Sequence, residues 1–495
     1  MASAQSASLQ GEEFALDNLM KLGLKYRSLS DPVRASLWFT ICSFVQKGIS
    51  FITVPIFTRL MSTEQYGMYS LFLSWDSVII VFATLNLSYQ VFNNGLVKYE
   101  DDRDAYTSSM LGLSNVCTTV LLVLYLLFRN IINEISGLNT PLFLLMFLQY
   151  YFNQALALWT VKERFFYRYR ALTCITLGSA IVSSIIGVVA VLFAQDKVFA
   201  RVASLALVNV IVGVCIYLQV IRRGRKLVCW KYWKYVLVLN LPLIPHYLSM
   251  TALGSVDRIL IGSICGASFT ALYSISFNIA SILNLLLSSI NSSYIPWFYQ
   301  KMHDGDSESI SKVSTALLLV VGVCSLIPAL FGPEVVRLLG SEKYMDGIWV
   351  MPSVSVGVYF TFAYSLFSNY ELYYDESRII MVASLTAAAL NIGLNLLLLP
   401  ILGFVAAGYV SLGCYIALSF FHYLGMRIVA KRKGGRTIPF DLKLVVAISI
   451  ILLVLSLGVT VLYFNTLLRY VVLIVLLAIM FAKRRLILDA IGSLK

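Results

Sequence analysis

An apolar run long enough to cross a lipid bilayer recurs about fourteen times between residues 36 and 488 of this chain. A helix needs roughly 20 apolar residues to span the hydrocarbon core, and a backbone in lipid must satisfy its own hydrogen bonds. Over the 495 residues the mean hydropathy is +0.82, and only 13% of the residues are charged. The sequence therefore predicts an all-α polytopic membrane protein with about 14 transmembrane helices.

Positive charge is concentrated in alternate connections between the predicted helices, most densely at residues 222–234 and 427–436. Such connections stay on the cytoplasmic side of a membrane, which predicts cytoplasmic N- and C-termini. We interpret the net charge of +13 as a topology signal facing an anionic leaflet, and no nucleic-acid partner is expected. The mixed-charge residues 1–35 are predicted to be a cytosolic tail.

Two segments of the chain resemble each other: MSTEQYGMYSLFLSW at residues 61–75 and CGASFTALYSISFNI at residues 265–279. Both contain a Tyr-Ser pair, which begins at Tyr69 in the first segment and at Tyr273 in the second. Both also follow a predicted helix that contains proline. We infer a parallel duplication in which helices 1–6 match helices 7–12, a kind of repeat that places the substrate site between the halves.

This duplication divides the chain into four predicted regions. They are the cytosolic tail at residues 1–35, an N-lobe of helices 1–6 at residues 36–223, a C-lobe of helices 7–12 at residues 224–430, and a basic linker with helices 13 and 14 at residues 431–495. The predicted outer connections are all short. Function is therefore expected within the membrane or at its cytosolic face.

A lysine, Lys47, stands at the middle of the first predicted helix, FTICSFVQKGISFITVPIFTRL. Charges at that depth are rare unless they face a protein interior or a water-filled cavity. Polar side chains at spacings of three and four accompany Lys47 on one helix face, and similar stripes occur in helices 2 and 8. The stripes consist of Ser43, Gln46, Ser50 and Thr53; of Asn86, Gln90 and Asn93; and of Ser281, Asn284, Ser288 and Asn291. The stripes alone suit helix packing equally well, but packing does not require a full charge.

The predicted topology places three more ionisable residues inside the membrane, Asp76 in helix 2 and Asp257 and Arg258 in helix 7. All three are expected roughly 12 to 14 Å from the outer ends of their helices. One interpretation is a structural ion pair between the halves, joining Asp76 to Arg258. The other is a stepped cationic lining in which Arg258 and Lys47 attract an anionic group, since arginine binds diphosphate through a bidentate fork.

Signatures of soluble enzymes are missing from the sequence. It contains no P-loop, no H-E-x-x-H zinc motif and no nucleophile elbow. The eight cysteines are scattered singly, and we interpret them as small hydrophobic residues. The sequence thus predicts a protein that is not an enzyme, with no catalytic residues, no metal site and no cofactor.

The opening of each predicted half resembles a known family. Residues 47–71, KGISFITVPIFTRLMSTEQYGMYSL, and residues 240–302 are similar to the corresponding segments of Wzx-type oligosaccharide-lipid flippases. These are polysaccharide biosynthesis proteins of the multidrug/oligosaccharidyl-lipid/polysaccharide exporter superfamily. The family pattern is matched by the pairs Asp257-Arg258, Tyr273-Ser274 and Pro296-Trp297. Helices 13 and 14 depart from the commonest twelve-helix form.

The resemblance implies two six-helix lobes around a central cavity that opens to each side of the inner (plasma) membrane in turn. The implied cargo is an oligosaccharide on undecaprenyl diphosphate, moved from the cytoplasmic to the outer leaflet for O-antigen, capsule or exopolysaccharide synthesis. Implied partners are this lipid-linked oligosaccharide, membrane lipid, and polysaccharide polymerase and assembly proteins. A lipid II flippase, a drug or metabolite antiporter of the same superfamily and, more distantly, a membrane glycosyltransferase or polymerase remain as alternatives.

The predicted site combines charged and amide side chains from helices 1, 2, 7 and 8. The predicted substrate-binding residues of the cavity are Lys47, Arg258, Asn86, Gln90, Asn284 and Asn291. Asp76 and Asp257 are predicted to couple transport to an ion, H⁺ or Na⁺, or to act as a gate.

Overall fold

The computed structural model describes residues 30–434 and 438–482, together with residues 484 and 492. The predicted cytosolic tail therefore lies outside the described residues except for its end. Every secondary-structure element within the described ranges is a helix, and thirteen helical segments there are long and apolar enough to cross a membrane. The helix Thr466–Ala482 lies where the fourteenth span is predicted. The all-α polytopic fold class is confirmed.

The first lobe is built from helices α1 to α8. Their bounds are α1 (Asp31–Leu60), α2 (Thr63–Thr84), α3 (Gln90–Lys98), α4 (Arg103–Leu127), α5 (Arg129–Ser136), α6 (Thr140–Phe165), α7 (Tyr169–Phe193) and α8 (Lys197–Gly224). A short 3₁₀ turn, Glu100–Asp102, precedes α4.

The second lobe is built from helices α9 to α17, and two further helices follow it. Their bounds are α9 (Trp230–Asn240), α10 (Ile244–Ile264), α11 (Ala267–Ser281), α12 (Leu283–Asp304), α13 (Ser307–Leu330), α14 (Gly332–Gly340), α15 (Met351–Tyr373), α16 (Ser377–Leu402), α17 (Val405–Arg432), α18 (Leu442–Leu462) and α19 (Thr466–Ala482). The longest 3₁₀ segment, Glu342–Val350, leads into α15.

The two lobes repeat the same helix packing. In the first lobe α6 packs on α8, α1 on α7, and α7 on α8. In the second lobe the matching pairs are α15 on α17, α10 on α16, and α16 on α17. These pairs correspond when the six predicted spans of the first half are matched in order with the six predicted spans of the second half. The lobe boundaries at residues 223 and 430 stay a prediction, and α9 also contacts α3 and α4 of the first lobe.

Two of the membrane spans are interrupted helices whose breaks lie side by side. Between α2 and α3 the chain turns through Leu85 and Asn86, which adopt left-handed backbone with φ of 49° and 50°. Between α9 and α10 it passes through the 3₁₀ turn Leu241–Leu243, where Pro242 lacks a backbone donor. The Asn240 side chain donates a hydrogen bond to the Leu85 carbonyl. This bond satisfies a backbone group that the break would otherwise leave without a partner.

Connections between helices gather at two ends of the bundle, which we name the Asp31 end and the Leu60 end after the first and last residues of α1. At the Leu60 end, Lys197 at the start of α8 donates to the Leu60 carbonyl at 2.6 Å. At the Asp31 end, Lys226 pairs with Asp102 at 3.0 Å. The two ends of each long helix therefore lie at opposite ends of the bundle, beside different connections.

Apart from α9, which contacts the first lobe at the Asp31 end, the two lobes contact each other at the Leu60 end. Here α2 packs on both α10 and α11, and α1 packs on α14. The Thr58 hydroxyl donates to the Leu339 carbonyl at 2.5 Å, and the Arg59 guanidinium donates to the Leu338 carbonyl at 3.0 Å. Helices α2 and α11 approach each other closely at Gly67, because a Cβ added there would lie 1.7 Å from the carbonyl oxygen of Ala267 on α11.

The last two helices are attached to the second lobe. α18 packs on α13 and α15, and α19 packs on α13. Arg469 of α19, only 2% exposed, forms an ion pair with Glu334 of α14. The Tyr463 hydroxyl donates to the Ala329 carbonyl at 2.7 Å. The described residues of these two helices therefore enlarge the second lobe.

Candidate functional site

A polar cavity of about 430 Å³ separates the lobes at the Asp31 end. Its walls are α1 of the first lobe and α12 of the second, with Arg164 from the end of α6 and Tyr167 from the turn that follows it. The lining residues are Pro32, Ser36, Phe39, Thr40, Ser43, Phe44, Arg164, Tyr167, Leu285, Ser288, Ser289 and Ser292. Six hydroxyls of Ser and Thr and one guanidinium thus face a space shared by both lobes.

Lys47 lies on the side of α1 that faces this cavity. The opposite side of α1 packs on α7 and includes the buried residues Ala35 and Cys42. Thr40 and Ser43 line the cavity, and Lys47 follows Ser43 by four residues, which places it on the same face one turn farther along the helix. Its side chain is exposed in the protein. Lys47 itself is not among the lining residues, so its place beyond the lining is inferred from helix spacing.

Arg164 is a cation of the site that sequence reasoning did not select. It is exposed at the end of α6 and lines both the cavity beside α1 and a second cavity of about 800 Å³. The second cavity is also lined by Tyr89 and Asn93. The guanidinium lies 5.2 Å from the ring centre of Phe39 on α1. In the sequence Arg164 belongs to a basic connection, which is interpreted as a topology signal.

The predicted polar stripe of helix 2 is not formed, because the helix is interrupted. Asn86 lies in the turn between α2 and α3, where its backbone N–H donates to the Thr84 hydroxyl at 3.2 Å. Gln90 is the first residue of α3. The expectation that Asn86 and Gln90 share one continuous helix face with Asn93 is wrong. Asparagine tolerates the left-handed conformation that ends α2 better than most residues do.

The two asparagines predicted in helix 8 both lie on α12, but in different surroundings. Asn284 lines a small cavity of about 70 Å³ inside the second lobe, together with Ser411 and Tyr415. The Oδ1 of Asn291 is buried and has no hydrogen-bond partner among the described residues. Ser288, between them, lines the cavity beside α1. The α12 face therefore links the inter-lobe cavity to the interior of the second lobe.

Arg258 is half-buried on α10 and lies close to an aromatic ring. Its guanidinium carbon is 4.3 Å from the ring centre of Phe277, a favourable cation–π contact. Its Nε is buried without a hydrogen-bond partner within residues 30–434 and 438–482. In the same ranges no ion pair joins Arg258 to Asp76, so the interpretation of these two residues as a structural ion pair is wrong.

Asp76 lies where the two lobes touch. It is half-buried on α2, and its backbone carbonyl accepts a hydrogen bond from the Tyr150 hydroxyl at 3.1 Å. The neighbouring Ser77 hydroxyl bonds the Ser255 hydroxyl of α10 at 2.9 Å, which is a contact between the lobes. The predicted topology places Asp76 and Arg258 at similar depth, but their helices direct the two side chains differently.

Asp257 is the centre of a buried hydrogen-bond cluster in the second lobe. The side chain is 2% exposed and accepts bonds from Tyr273 at 2.6 Å, Asn391 at 3.0 Å and Asn395 at 2.8 Å, and from Ser411. These donors come from α11, α16 and α17. A carboxylate with this many donors is satisfied without a basic partner. No group of three or more His, Cys, Asp and Glu side chains that suits a metal occurs in the described part of the chain.

A second buried cation, Arg201, is absent from the predicted site. It is 8% exposed on α8, with its guanidinium carbon 4.0 Å from the Phe57 ring centre and 5.1 Å from the Tyr69 ring centre. Its Nε and one terminal nitrogen are buried without hydrogen-bond partners among the described residues. Arg201 stands close to a predicted helix end, so the sequence alone suggests an exposed loop residue.

A family model described as polysaccharide biosynthesis protein matches residues 33–302 of the chain. The match covers more than half of the sequence. It includes all of the lining residues of the inter-lobe cavity except Pro32, and it begins in the first turn of α1 and ends in the last turn of α12.

Two curated proteins of Haemophilus influenzae are distant relatives. An Lsg locus protein is 21% identical over 160 residues, which cover 32% of this chain and 40% of that protein. An uncharacterized membrane protein is 24% identical over 230 residues, which cover 45% of this chain and 56% of that protein. The chain thus spans about half the length of the curated relatives that it matches.

Solved structures share the fold at low sequence identity. The lipid II flippase MurJ in its inward closed conformation aligns with a TM-score of 0.67 and 13% identity, covering 91% of this chain and all of that one. A multidrug resistance MATE family transporter of the MOP superfamily, in an inward-facing conformation, aligns with a TM-score of 0.58 and 13% identity. That alignment covers 78% of this chain and 95% of the transporter.

Proposed function

This chain belongs to the polysaccharide biosynthesis protein family, and from that premise we propose that it is a flippase for a lipid-linked oligosaccharide. The cargo would be an oligosaccharide repeat unit on undecaprenyl diphosphate, carried from the cytoplasmic to the outer leaflet of the inner membrane by alternating access. The Asp31 end would then face the cytoplasm. O-antigen, capsule and exopolysaccharide synthesis all use cargo of this chemistry.

The observation that carries the proposal is the polar cavity between the lobes. It lies at the Asp31 end, whereas the lobes are in contact at the Leu60 end. A cargo that enters between α1 and α12 therefore meets both lobes at once. A rocking motion that separates the Leu60 end and closes the Asp31 end would expose the same surfaces to the other side.

The chemistry of the lining suits an anionic headgroup with sugars attached. A diphosphate loses its hydration in hydrocarbon, which is prohibitive unless other groups replace the water. Arg164 at the cavity and Lys47 one turn beyond it on α1 supply positive charge, and we propose that Arg258, which lies against Phe277 in this state, supplies a further cation as the lobes move. The Ser and Thr hydroxyls and Asn291 supply hydrogen-bonding groups for sugars. The polyprenyl tail would remain in lipid beside the gap.

Asp257 is our proposed site for a coupling ion. Its carboxylate is buried among neutral donors, and Oδ1 of Asn395 is buried without a partner among the described residues. If the amide of Asn395 and the hydroxyl of Ser411 turned their oxygens inward, the cluster would offer oxygen ligands to a small cation such as Na⁺. Carboxylate, amide and hydroxyl oxygens are the ligands that such cations prefer. Asp76, on the lobe contact, remains our proposed gate residue.

The alternatives differ in what the cavity must bind. A drug antiporter with cationic cargo is disfavoured, because Arg164 in the cavity lining would repel it, as would the proposed binding residues Lys47 and Arg258. A lipid II flippase would use the same diphosphate chemistry, and the likeness to MurJ concerns the fold. A glycosyltransferase or polymerase would need catalytic carboxylates close to the substrate. The cavity lining contains no carboxylate.

Transport into proteoliposomes tests the flippase proposal. A polyprenyl-diphosphate oligosaccharide with a fluorescent label is added to one leaflet, and its loss from that leaflet is followed with a membrane-impermeant quencher. We expect Lys47→Ala and Arg258→Ala to slow movement roughly 10- to 100-fold, because each removes a charged contact to the diphosphate. Lys312→Ala is the matched control, since Lys312 is exposed and pairs only with Glu308 on the same helix. Wild-type rates in both cavity variants would refute the binding role.

A further inference from the structure

A buried acid–base pair lies in the second lobe, away from the inter-lobe cavity. Glu371 of α15 and His422 of α17 are 0% and 1% exposed, and the Nδ1 of His422 lies 2.7 Å from the Oε2 of Glu371. Charged and titratable side chains are rarely buried this completely without a function. Neither residue belongs to the predicted site or to the proposed flippase mechanism.

The surroundings of the Glu371–His422 pair leave the carboxylate only one partner. The second oxygen of Glu371, Oε1, is buried with no hydrogen-bond partner in the described part of the chain. Gly425 makes room for it, because a Cβ at that position would lie 2.2 Å from Oε1. The His422 ring stacks on Tyr364 with a centroid distance of 5.5 Å. A free acceptor oxygen is thus held beside an imidazole in a dry setting.

Other charged and titratable groups around the pair are few. From α10, His246 interacts electrostatically with His422. From α16, the side chain beside Gly425 is the apolar Ile379. At this end of α15, α16, α17 and α18 the other charged groups are exposed or paired. Glu376 pairs with Arg432 and Lys301 pairs with Asp306, and the exposed groups are Asp375, Arg378, Arg427, Lys431, Lys433, Asp441 and Lys443. The phenol of Tyr364 belongs to the ring that stacks on His422, and Tyr370, Tyr373 and Tyr374 flank Glu371 in the sequence.

The charge of the pair depends on whether one proton is present. With a neutral imidazole and an ionised carboxylate, the pair carries one buried negative charge that no cation offsets. Adding one proton gives either a neutral acid beside a neutral imidazole or an ion pair, and both have zero net charge. Burial strongly favours zero net charge over an isolated ion. We assign the proton to the pair as a unit, because the Nδ1 of His422 and the Oε2 of Glu371 lie within hydrogen-bonding distance.

The position of the pair gives the proton a short route to solution. Glu371 lies in the last turn of α15, which ends at Tyr373, and Gly425 and Ile379 beside it lie near the end of α17 and the start of α16. All of these belong to the Asp31 end. A small separation of α15, α16 and α17 at this end would therefore admit water to the carboxylate.

We propose that the Glu371–His422 pair is a proton-binding site, and that loss of its proton favours opening of the second lobe at the Asp31 end. The proton comes from hydronium in the solution at that end, is held between Nδ1 and Oε2, and returns to the same solution. Water that enters on opening would solvate the charge of the deprotonated pair. Proton binding by itself does not depend on transport, whereas a role in the transport cycle rests on the flippase proposal.

Infrared difference spectroscopy of the purified full-length protein tests proton binding directly. Protein labelled with ¹³C-glutamate is compared between about pH 5 and about pH 8, the range in which imidazole groups titrate. We expect a pH-dependent glutamate carboxyl band that is lost in Glu371→Gln and changes its pH dependence in His422→Gln. Glu371→Asp keeps an acid and should replace the glutamate band with an aspartate band, so it serves as the second variant. An unchanged glutamate band in Glu371→Gln, or no pH-dependent band in the wild type, would overturn the proposal.

Spin-label distances test the link to opening. Labelled unnatural amino acids at the exposed positions Ser377 of α16 and Arg427 of α17, both at the Asp31 end, report the separation of these two helices of the second lobe. We expect raised pH to widen this distance in the wild type, and Glu371→Gln, which is permanently neutral, to keep it short at every pH. A pH response in Glu371→Gln equal to that of the wild type would mean that the pair is a structural brace, and would refute the coupling. If the carboxyl band behaves as expected but no lipid-linked sugar moves in wild-type proteoliposomes, the flippase proposal fails and the proton site stands.

Discussion

Replacing Gly67 with alanine is expected to open the contact between the lobes. Gly67 lies in the first turns of α2, and a Cβ added there would lie 1.7 Å from the backbone oxygen of Ala267 and 2.4 Å from its carbonyl carbon. Because the neighbour is backbone, no side chain can rotate away. Carbon–oxygen contact requires a separation above 3 Å, so α2 and α11 must move apart by about 1.5 Å.

The size of the effect follows from the cost of overpacking. Inserting a methyl group into a tightly packed contact costs about 1 to 3 kcal/mol. This penalty applies only to the state in which the Leu60 end is closed. It therefore shifts the equilibrium between the two ends by about 5- to 150-fold toward the state with a separated Leu60 end.

Spin-label distances across the Leu60 end measure this shift. Exposed Glu64 on α2 and exposed Lys343 on the second lobe are suitable label sites. In Gly67→Ala we expect a larger population at long distance and, for a transporter, a changed transport rate. Gly254→Ala is the matched control, because a Cβ at that helix position meets nothing within 4 Å. Identical distance distributions in the wild type and in Gly67→Ala would show that this contact does not determine which end is closed.

Two further predictions concern the cavity and the buried carboxylate. Arg164→Ala should slow transport of a diphosphate-linked oligosaccharide about tenfold, because its guanidinium lines two cavities. Thermal stability should change little, because Arg164 makes no ion pair among the described residues. Normal transport in a folded variant would exclude Arg164 from the site. Asp257→Asn should lower the melting temperature, because the new amide nitrogen can face the donors of Asn391 and Asn395 and leave them without an acceptor. Each buried group left unpaired costs about 1 to 3 kcal/mol of stability. The same variant should lose any increase in melting temperature that Na⁺ gives the wild type, and an equal increase in both proteins would refute the ion site.

Part of the candidate site could be predicted from the sequence because helical spacing is local. Ser43 and Lys47 are four residues apart in an apolar run, so they share a face wherever the helix lies. The structure places Ser43 in the lining of the inter-lobe cavity. Arg258 and Asp257 stand out for a similar reason, since charges inside apolar runs are rare. Their partners, Phe277 for the arginine and Asn395 for the aspartate, are not evident from spacing.

Other parts of the site were beyond sequence reasoning because they depend on which helices meet. The break after Thr84 contains neither glycine nor proline, and it is stabilised by the Asn240 side chain from another helix. Glu371 and His422 are each close to the end of a predicted span, where a charged residue usually contacts water. Only the packing of α15 on α17 buries them together. A search for charges within two turns of a helix end would have selected both as candidates.

The membrane-helix bundle follows from the sequence alone, because lipid forces each apolar run to satisfy its own backbone hydrogen bonds, and length and hydropathy identify those runs. The two related lobes were indicated separately, by the similar segments at residues 61–75 and 265–279. Tertiary structure decided which charges are paired, which are buried alone and which face the gap between the lobes. Asp76 and Arg258 illustrate the difference, because depth in the membrane follows from counting residues, whereas contact depends on the direction in which each helix presents its side chain.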